Sequence, residues 1–129
     1  MRVIVAGSRT IEQIAVVEEA MKEALPDWGG TLVVDVIVSG CCRGVDRLGE
    51  VWAGLHGIPV KRFRAQWDRL GKSAGKRRNV EMVKYAAEGP GGGALVAIWD
   101  GASSGTSHVI SVAHAQRLRV HVHRVGGLP

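Results

Sequence analysis

Small residues that can surround an anion follow one of the apolar segments of this chain. The run ALVAI at residues 94–98 leads into IWDGASSGTSH at 98–108, where seven consecutive residues, 101–107, are small or hydroxylated. Such residues fill little of a core, but their backbone N–H groups can converge on a phosphate where a helix begins. The segment is a candidate anion-binding loop; alternatively, it is an ordinary strand-to-helix loop with a Ser or Thr cap.

Two further loops share this composition. GSRT at residues 7–10 and SGCCRG at residues 39–44 also combine glycine with Ser, Thr or Arg. Asp46 follows the second loop, either as a first-turn carboxylate or as an acceptor for a ribose hydroxyl. The P-loop pattern G-x-x-x-x-G-K-[ST] and the dinucleotide pattern G-x-G-x-x-G are both absent, so a bound phosphate would need a different loop.

The positive charge is unevenly distributed. The formal net charge is +5, and the segment 61–84 holds nine basic residues against two acidic ones. Such a segment indicates an anionic partner, either nucleic acid or a phosphorylated small molecule, unless it is only a solvated face. Arg77, Arg78 and Asn79 are predicted to open a helix, where basic side chains oppose the helix dipole and favour an external anion.

Other reactive side chains give weaker signals. Adjacent Cys41 and Cys42 suit neither a structural disulfide nor a zinc site, and they fit space-filling in a reducing compartment. His121 and His123 share one side of an edge strand, where a metal would need a third ligand. No metal and no cofactor are predicted. Trp67 and Trp99 flank the candidate loops and could stack on a base.

The composition predicts a soluble cytoplasmic protein that is not processed and does not enter a membrane. Among the 129 residues, 46% are apolar, yet no run of 18 apolar residues occurs and no signal peptide is recognisable.

Strand and helix patterns alternate along the chain. A capping box of Thr10 and Gln13 is expected to start the first helix, which ends before Pro26, and residues 64–75 are expected to form a long loop. In the third helix, Val80, Val83 and Ala87 are expected to face inward. Strands are predicted at residues 2–6, 32–38, 59–63, 94–99 and 118–123, and the later helices at 45–56, 76–87 and 105–117.

This alternation predicts one α/β domain over residues 1–129, a Rossmann-like three-layer sandwich whose parallel five-stranded sheet has the order 3-2-1-4-5. Ligands of such sheets bind at the carboxyl ends of the strands, where the order reverses, here between strands 1 and 4. We therefore expect the loops after strands 1, 2 and 4 to meet at one rim. The predicted ligand- and phosphate-binding residues are Gly7, Ser8, Arg9, Gly40, Gly44, Asp46, Arg78, Asn79, Gly101, Ser104, Gly105 and Thr106.

Four segments together, VAGSRT, SGCCRGVDRLGEVWA, QWDRLGKSAGKRRNVEM and IWDGASSGTSH, resemble the YspA-like branch of the SLOG superfamily. This superfamily includes the Lonely-guy phosphoribohydrolases and the DNA-processing protein DprA. The resemblance runs from Arg2 to about His123. It implies a Rossmann-like fold, a site for a nucleotide or nucleotide-derived ligand, and often a homodimer.

The resemblance to the Lonely-guy enzymes is partial. Arg78 resembles their Arg near the start of the corresponding helix, and Gly105-Thr106 resembles the G-T of their P-G-G-x-G-T-x-x-E loop. The catalytic Glu position falls on Val109, and an alkyl group can neither transfer protons nor stabilise an oxocarbenium-like transition state. Catalysis would therefore use substitutes, for which Asp100, Asp46 or His108 are candidates beside Arg78.

Three functions follow as hypotheses. The first is binding of a nucleotide-derived small molecule by a sensor or carrier domain. The second is cleavage of the N-glycosidic bond of a nucleoside 5′-monophosphate, with Arg78, Asp100 and Asp46 as catalytic residues. The third is binding of single-stranded nucleic acid, which the basic segment favours and the 5% aromatic content disfavours.

Overall fold

A five-stranded parallel sheet organises the chain, and the computed structural model describes residues 1–126 of it. The strand order is β3-β2-β1-β4-β5, and every neighbouring pair is parallel. The predicted α/β, Rossmann-like three-layer arrangement and its strand order are therefore confirmed. The strands are β1 (Arg2–Gly7), β2 (Val36–Ser39), β3 (Val60–Arg62), β4 (Gly93–Trp99) and β5 (Arg119–Arg124).

Helices cover both faces of the sheet. The α-helices are α1 (Ile14–Ala24), α2 (Val45–Leu55), α3 (Trp67–Leu70), α4 (Ala74–Ala87) and α5 (Ser104–Ala115). Helices α1 and α2 pack with one core, and α4 and α5 pack with the other. Within residues 1–126, no helix combines the length and the apolar character needed to cross a membrane.

The two central strands contribute to both cores, because successive side chains of a strand point to opposite faces. In β1, Val3 and Val5 belong to the core beneath α1 and α2, whereas Ile4 and Ala6 belong to the core beneath α4 and α5. Strand β4 is buried from Gly93 through Ile98. Burial on both faces explains why these segments are continuous apolar runs rather than alternating ones.

The order of the sheet reverses between β1 and β4. Gly7 at the end of β1 is in register with Ile98 near the end of β4. The chain leaves β1 towards α1 on one face, and it leaves β4 towards α5 on the other. The two connections therefore diverge and open a crevice at the carboxyl edge of the sheet.

Several element boundaries differ from the sequence-based expectation. The second strand begins at Val36, because residues 31–33 form a turn of 3₁₀ helix after two glycines with positive φ, Gly29 and Gly30. The capping box is wrong: α1 begins at Ile14, and Gln13 precedes it without a side-chain capping bond. The expected loop at 64–75 contains the short helix α3.

The third predicted helix also differs in its start and in one buried position. Helix α4 begins at Ala74 rather than at Lys76. Val80 does not face inward, since it is 49% exposed, whereas Val83 is fully buried. The buried stripe of α4 passes instead through Arg78, Asn79, Met82 and Ala86.

Candidate functional site

A cavity of about 520 Å³ lies at the carboxyl edge of the sheet, where the order reverses. It is bordered by the loops after β1, β2 and β4 and by the beginnings of α4 and α5. Four of its side chains are cationic and two are carboxyls. The lining residues are Ala6, Gly7, Ser8, Arg9, Thr10, Cys42, Asp46, Trp67, Lys72, Gly75, Lys76, Arg78, Asn79, Met82, Asp100, Ser103, Ser104, Gly105, Thr106, His108 and Val109.

The loop after β1 is held by bonds of Ser8. Its backbone N–H donates to the Ile98 carbonyl at 3.1 Å, and its carbonyl accepts the N–H of Val45 at 3.1 Å. Its buried Oγ lies 2.8 Å from Thr10 Oγ1 and accepts the backbone N–H of Thr10 at 3.2 Å. Ser8 therefore shapes this loop, and the more exposed Arg9 and Thr10 border the open part of the cavity.

Arg78 is a cation buried in the cavity wall, with 9% of its surface exposed. Nη1 donates to the Gly40 carbonyl at 2.7 Å and lies 3.5 Å from Cys42 Sγ, and Nε donates to Asn79 Oδ1 at 3.0 Å. The expectation that Arg77–Asn79 open the helix is wrong, because α4 starts three residues before Arg77. Arg78 is thus positioned by bonds to the loop after β2 rather than by a helix terminus.

Asp46 is a buried carboxyl in the first turn of α2. Burial raises the pKa of Asp46 to about 6, although the nearby Arg78 and the N–H groups of Cys42 and Gly7 favour the ionised form. The N–H of Cys42 donates to Asp46 Oδ2 at 3.3 Å. A carboxyl that titrates in this range can exchange a proton near neutral pH.

Gly40 allows the carboxyl and the guanidinium to approach the loop after β2. A Cβ atom at this position would lie 2.7 Å from Asp46 Oδ2 and 2.9 Å from Arg78 Nη1. Both distances are below van der Waals contact, so a larger residue would displace one of the two side chains. The absence of a side chain at Gly40 is therefore a requirement of the site.

The loop after β4 brings the N-terminus of α5 to the cavity. Asp100 Oδ1 accepts the N–H groups of Ala102 and Ser103, both at 2.8 Å, and these bonds, that of Ser103 first, lower the pKa of Asp100. Trp99 Nε1 donates to the Ser103 carbonyl at 3.1 Å. The next N–H groups, of residues 104–106, are the first of α5 and have no acceptor within the helix.

His108 and Asn79 connect α5 to α4 at the cavity wall. Asn79 Nδ2 donates to the Gly105 carbonyl at 3.3 Å and lies 3.1 Å from His108 Nδ1. An amide nitrogen can only donate, so this contact places the proton of a neutral imidazole on Nε2. Burial, and secondly the charge of Lys76, lower the pKa of His108, which favours that neutral form.

Besides His108, ten of the thirteen predicted binding and catalytic residues line the cavity. They are Gly7, Ser8, Arg9, Asp46, Arg78, Asn79, Asp100, Ser104, Gly105 and Thr106. Gly40 instead lines a neighbouring cavity of about 340 Å³. Gly44 packs on the backbone of Ser8 and Arg9, and Gly101 packs against Arg124.

Other lining residues were not among the predicted site residues. Lys72 and Lys76 lie within the basic segment, whose charge was the available signal, but nothing distinguished them from its other cations. Thr10 was interpreted as a helix cap. Val109, which the sequence resemblance predicts to occupy the position of the Lonely-guy glutamate, borders the cavity with 2% of its surface exposed and packs in the core of α4 and α5.

Comparisons with known proteins match this chain to one family. Residues 1–70 match the model of a family described as "YspA, cpYpsA-related SLOG family". A protein named Gene 61 protein, from Mycobacterium phage D29, is 33% identical over 133 residues, which cover 99% of this chain and 98% of that protein. No solved structure matches the chain significantly.

Proposed function

Because this chain belongs to the YspA, cpYpsA-related SLOG family, we propose that it binds a nucleotide or a nucleotide-derived phosphorylated ligand at the carboxyl edge of its sheet. Binding is the function, as in a sensor domain, and it requires no catalysis. The observation that carries the proposal is the cavity itself. It lies where the strand order reverses, and it combines the start of α5 with the buried Arg78.

In this proposal the phosphate binds at the start of α5. The N–H groups of Ser104, Gly105 and Thr106 are free of helical partners, and the helix dipole favours an anion there. In residues 1–126, the hydrogen bonds of Arg78 use Nε and Nη1, which leaves Nη2 for the ligand. Each charge-assisted bond would contribute about 1.5–3 kcal/mol.

The sugar and the base of the ligand are proposed to lie along the cavity. A volume of about 520 Å³ lies within the range of roughly 300–1,000 Å³ typical of small-molecule sites. The Asp46 carboxyl can accept a hydrogen bond from a ribose hydroxyl, because it carries an acceptor oxygen whether it is ionised or protonated. Trp67 is 50% exposed and borders the same cavity, so its ring is available to stack on a base.

The decisive experiment removes one backbone donor without disturbing the helix. In Ser104→Pro the first N–H of α5 is lost; proline is favoured at this helix position, and Ser103 already has φ −58° and ψ 119°, as a residue before proline requires. Ser104→Ala keeps the N–H and is the matched control. A panel of nucleoside monophosphates, ADP-ribose and cyclic nucleotides is screened by thermal shift, and any ligand found is titrated by calorimetry.

We expect Ser104→Pro to weaken the binding of that ligand about 10- to 150-fold, which corresponds to one charge-assisted hydrogen bond. Ser104→Ala should change the affinity by less than about threefold. The proposal fails if no compound of the panel binds, or if Ser104→Pro binds a compound as tightly as the wild type does.

A neighbouring pair of exposed cations tests the charge of the cavity. Lys76 borders the cavity and Arg77 does not, although both are exposed on α4. Lys76→Met should weaken the binding of the phosphorylated ligand about 2- to 5-fold at low salt. Arg77→Met should leave it unchanged. Equal losses in both variants would indicate a diffuse electrostatic attraction rather than a site.

A second candidate function rests on Asp46, whose raised pKa suits a general acid. In this reaction water adds to C1′ of a nucleoside 5′-monophosphate and the C1′–N bond breaks. The base leaves with a proton from Asp46, and the water proton returns to that carboxylate. Chromatography should show free base and ribose 5-phosphate. Activity that persists in both Asp46→Asn and Asp100→Asn would exclude these assignments.

Two partner predictions remain for direct measurement. Binding of single-stranded nucleic acid would use the basic segment 61–84, and its affinity should fall steeply with salt. The homodimer that the family resemblance implies should appear as twice the chain mass of 13.8 kDa in light scattering.

A further inference from the structure

Two histidines of the edge strand β5 contact one glutamate of α1, on the face of the sheet opposite to α4 and α5. His121 Nε2 lies 3.0 Å from Glu23 Oε1, and His123 Nδ1 lies 2.8 Å from the same oxygen. One ligand atom from each of the three residues lies within 4.8 Å of the others. From this arrangement we propose that the protein binds a divalent transition-metal ion, of which Zn²⁺ is the type, through Glu23, His121 and His123.

The strand dictates that both imidazoles share one face. Residues 121 and 123 are two apart in β5, so their side chains point to the same side. Val120 and Val122 point to the other side, into the core of α4 and α5. The third ligand comes from the last turn of α1, which runs over the histidine face of the sheet.

The distances suit a metal ion. Zinc binds imidazole nitrogen and carboxylate oxygen at about 2.0–2.2 Å, so two ligand atoms of a tetrahedral site are about 3.3 Å apart. The two contacts with Glu23 Oε1, of 2.8 and 3.0 Å, need to open by only a few tenths of an ångström, and the ligand atoms of the two imidazoles lie within 4.8 Å of each other. The exposed Glu23 side chain can make that adjustment, since 41% of its surface is accessible.

The charge and access of the cluster also fit. Glu23 supplies a carboxylate, whose negative charge offsets part of the charge of the ion, and the two histidines supply imidazole nitrogens, the other ligand type that suits Zn²⁺ here. His121 and His123 have side-chain exposures of 30% and 14%, so the site is bordered by protein but open to solvent. Three protein ligands leave a fourth tetrahedral position for water.

This site is separate from the cavity at the carboxyl edge. None of its three residues lines that cavity. A bound ion would connect α1 to β5, two elements joined here by a pair of hydrogen bonds to one oxygen. The metal site and the nucleotide site are therefore proposed from different residues.

Zn²⁺ titration of the full chain, by calorimetry with equilibrium dialysis, tests the proposal. We expect one ion per chain, and a loss of affinity of at least about 10-fold in Glu23→Gln and in His123→Ala. His114→Gln, at an exposed histidine of α5, should bind as the wild type does. A double variant, Cys41→Ser with Cys42→Ser, should also bind normally, and Co²⁺ bound to the wild type should give no thiolate charge-transfer band.

Glu23→Gln should preserve the fold, because Glu23 is exposed and the amide keeps a hydrogen-bond acceptor. Circular dichroism spectra of the wild type and the variant check that the fold is unchanged. The proposal is overturned if the wild type binds no Zn²⁺. It is equally overturned if Glu23→Gln and His123→Ala bind as tightly as the wild type, or if the serine double variant loses binding.

Discussion

Replacing Asp46 with asparagine removes the one buried carboxyl of the cavity while nearly preserving its shape. Its pKa in the folded protein is about 6, whereas an unfolded chain has an aspartate pKa of about 3.9. The unfolded chain therefore releases this proton at lower pH than the folded protein does. The contribution of Asp46 to stability is most favourable below the unfolded pKa and is lost as the pH rises through the folded pKa.

The size of the effect follows from the two pKa values. Their separation of about 2 corresponds to about 3 kcal/mol in the free energy of unfolding. Between about pH 4.5 and about pH 7.5, roughly 2 kcal/mol of it should develop. Over this interval the wild type should lose about 2 kcal/mol of stability relative to Asp46→Asn, in which this position cannot ionise.

Urea unfolding followed by tryptophan fluorescence, at a series of pH values, measures this difference. The difference between wild type and variant isolates Asp46, because other titrating groups are common to both proteins. His108 is the important case, because its lowered pKa makes both proteins less stable as the pH falls, which is opposite to the effect of Asp46. This contribution is common to both proteins and cancels in the difference. Asp68→Asn, at an exposed carboxyl, is the matched control and should follow the wild type. Parallel curves for wild type and Asp46→Asn would refute the reasoning, as would a gap that narrows with rising pH.

Three further substitutions, the first of them with a control variant, test the packing around the cavity. Gly40→Ala places a methyl group 2.7 Å from a buried carboxylate oxygen and should destabilise the protein by about 1–3 kcal/mol in the same urea assay. Its control, Gly54→Ala, lies at an open position of α2 and should stabilise the protein by up to about 1 kcal/mol. Equal changes in the free energy of unfolding would contradict the crowding argument. Asn79→Ala removes the amide between α4 and α5 and should cost about 1–3 kcal/mol by thermal or urea unfolding, and a change below about 0.5 kcal/mol would show that this bond is not needed. Trp99→Phe deletes the hydrogen bond from the indole to the Ser103 carbonyl and should lower the free energy of unfolding by about 0.5–1.5 kcal/mol. Amide hydrogen exchange in residues 102–103 should become faster. Unchanged exchange would show that other contacts hold the loop.

The sheet order was predictable because its central strands carry unambiguous signals. Strands β1 and β4 are continuous apolar runs that only burial on both faces explains, and right-handed crossovers leave few orders for five parallel strands. The second strand was predicted too long because LVV at residues 32–34 has strand-like composition. Positive φ at Gly29 and Gly30 turns the chain there instead.

The start of α4 was missed for a tertiary reason. Gly75 is a poor helix former, and it appeared to belong to a loop. In the structure the Trp67 ring packs over it, and a Cβ atom at Gly75 would lie 3.2 Å from Trp67 Cη2. This contact depends on how α3 folds back onto α4, which local composition does not determine.

The loops of the candidate site were predictable from the sequence, but the cationic side chains that complete it were not. Glycine and hydroxyl residues at strand ends indicated three of its walls, since parallel strands place those ends at one edge. Lys76 borders the cavity because of the rotation of α4, and Lys72 because of the path of the turn before that helix. Neither orientation can be read from the local sequence. The cluster of Glu23, His121 and His123 shows the same limit, because Glu23 lies 98 residues from His121.

The buried carboxyl has a consequence for any anion that enters the cavity. Negative charge brought close to Asp46 raises the pKa of Asp46 further. Binding of an anionic ligand is therefore accompanied by the uptake of a fraction of a proton from solution. Its affinity should therefore increase as the solution becomes more acidic, and its heat of binding should vary with the ionisation enthalpy of the buffer. A cavity that binds an anion beside this carboxyl would thereby couple its occupancy to the acidity of its surroundings.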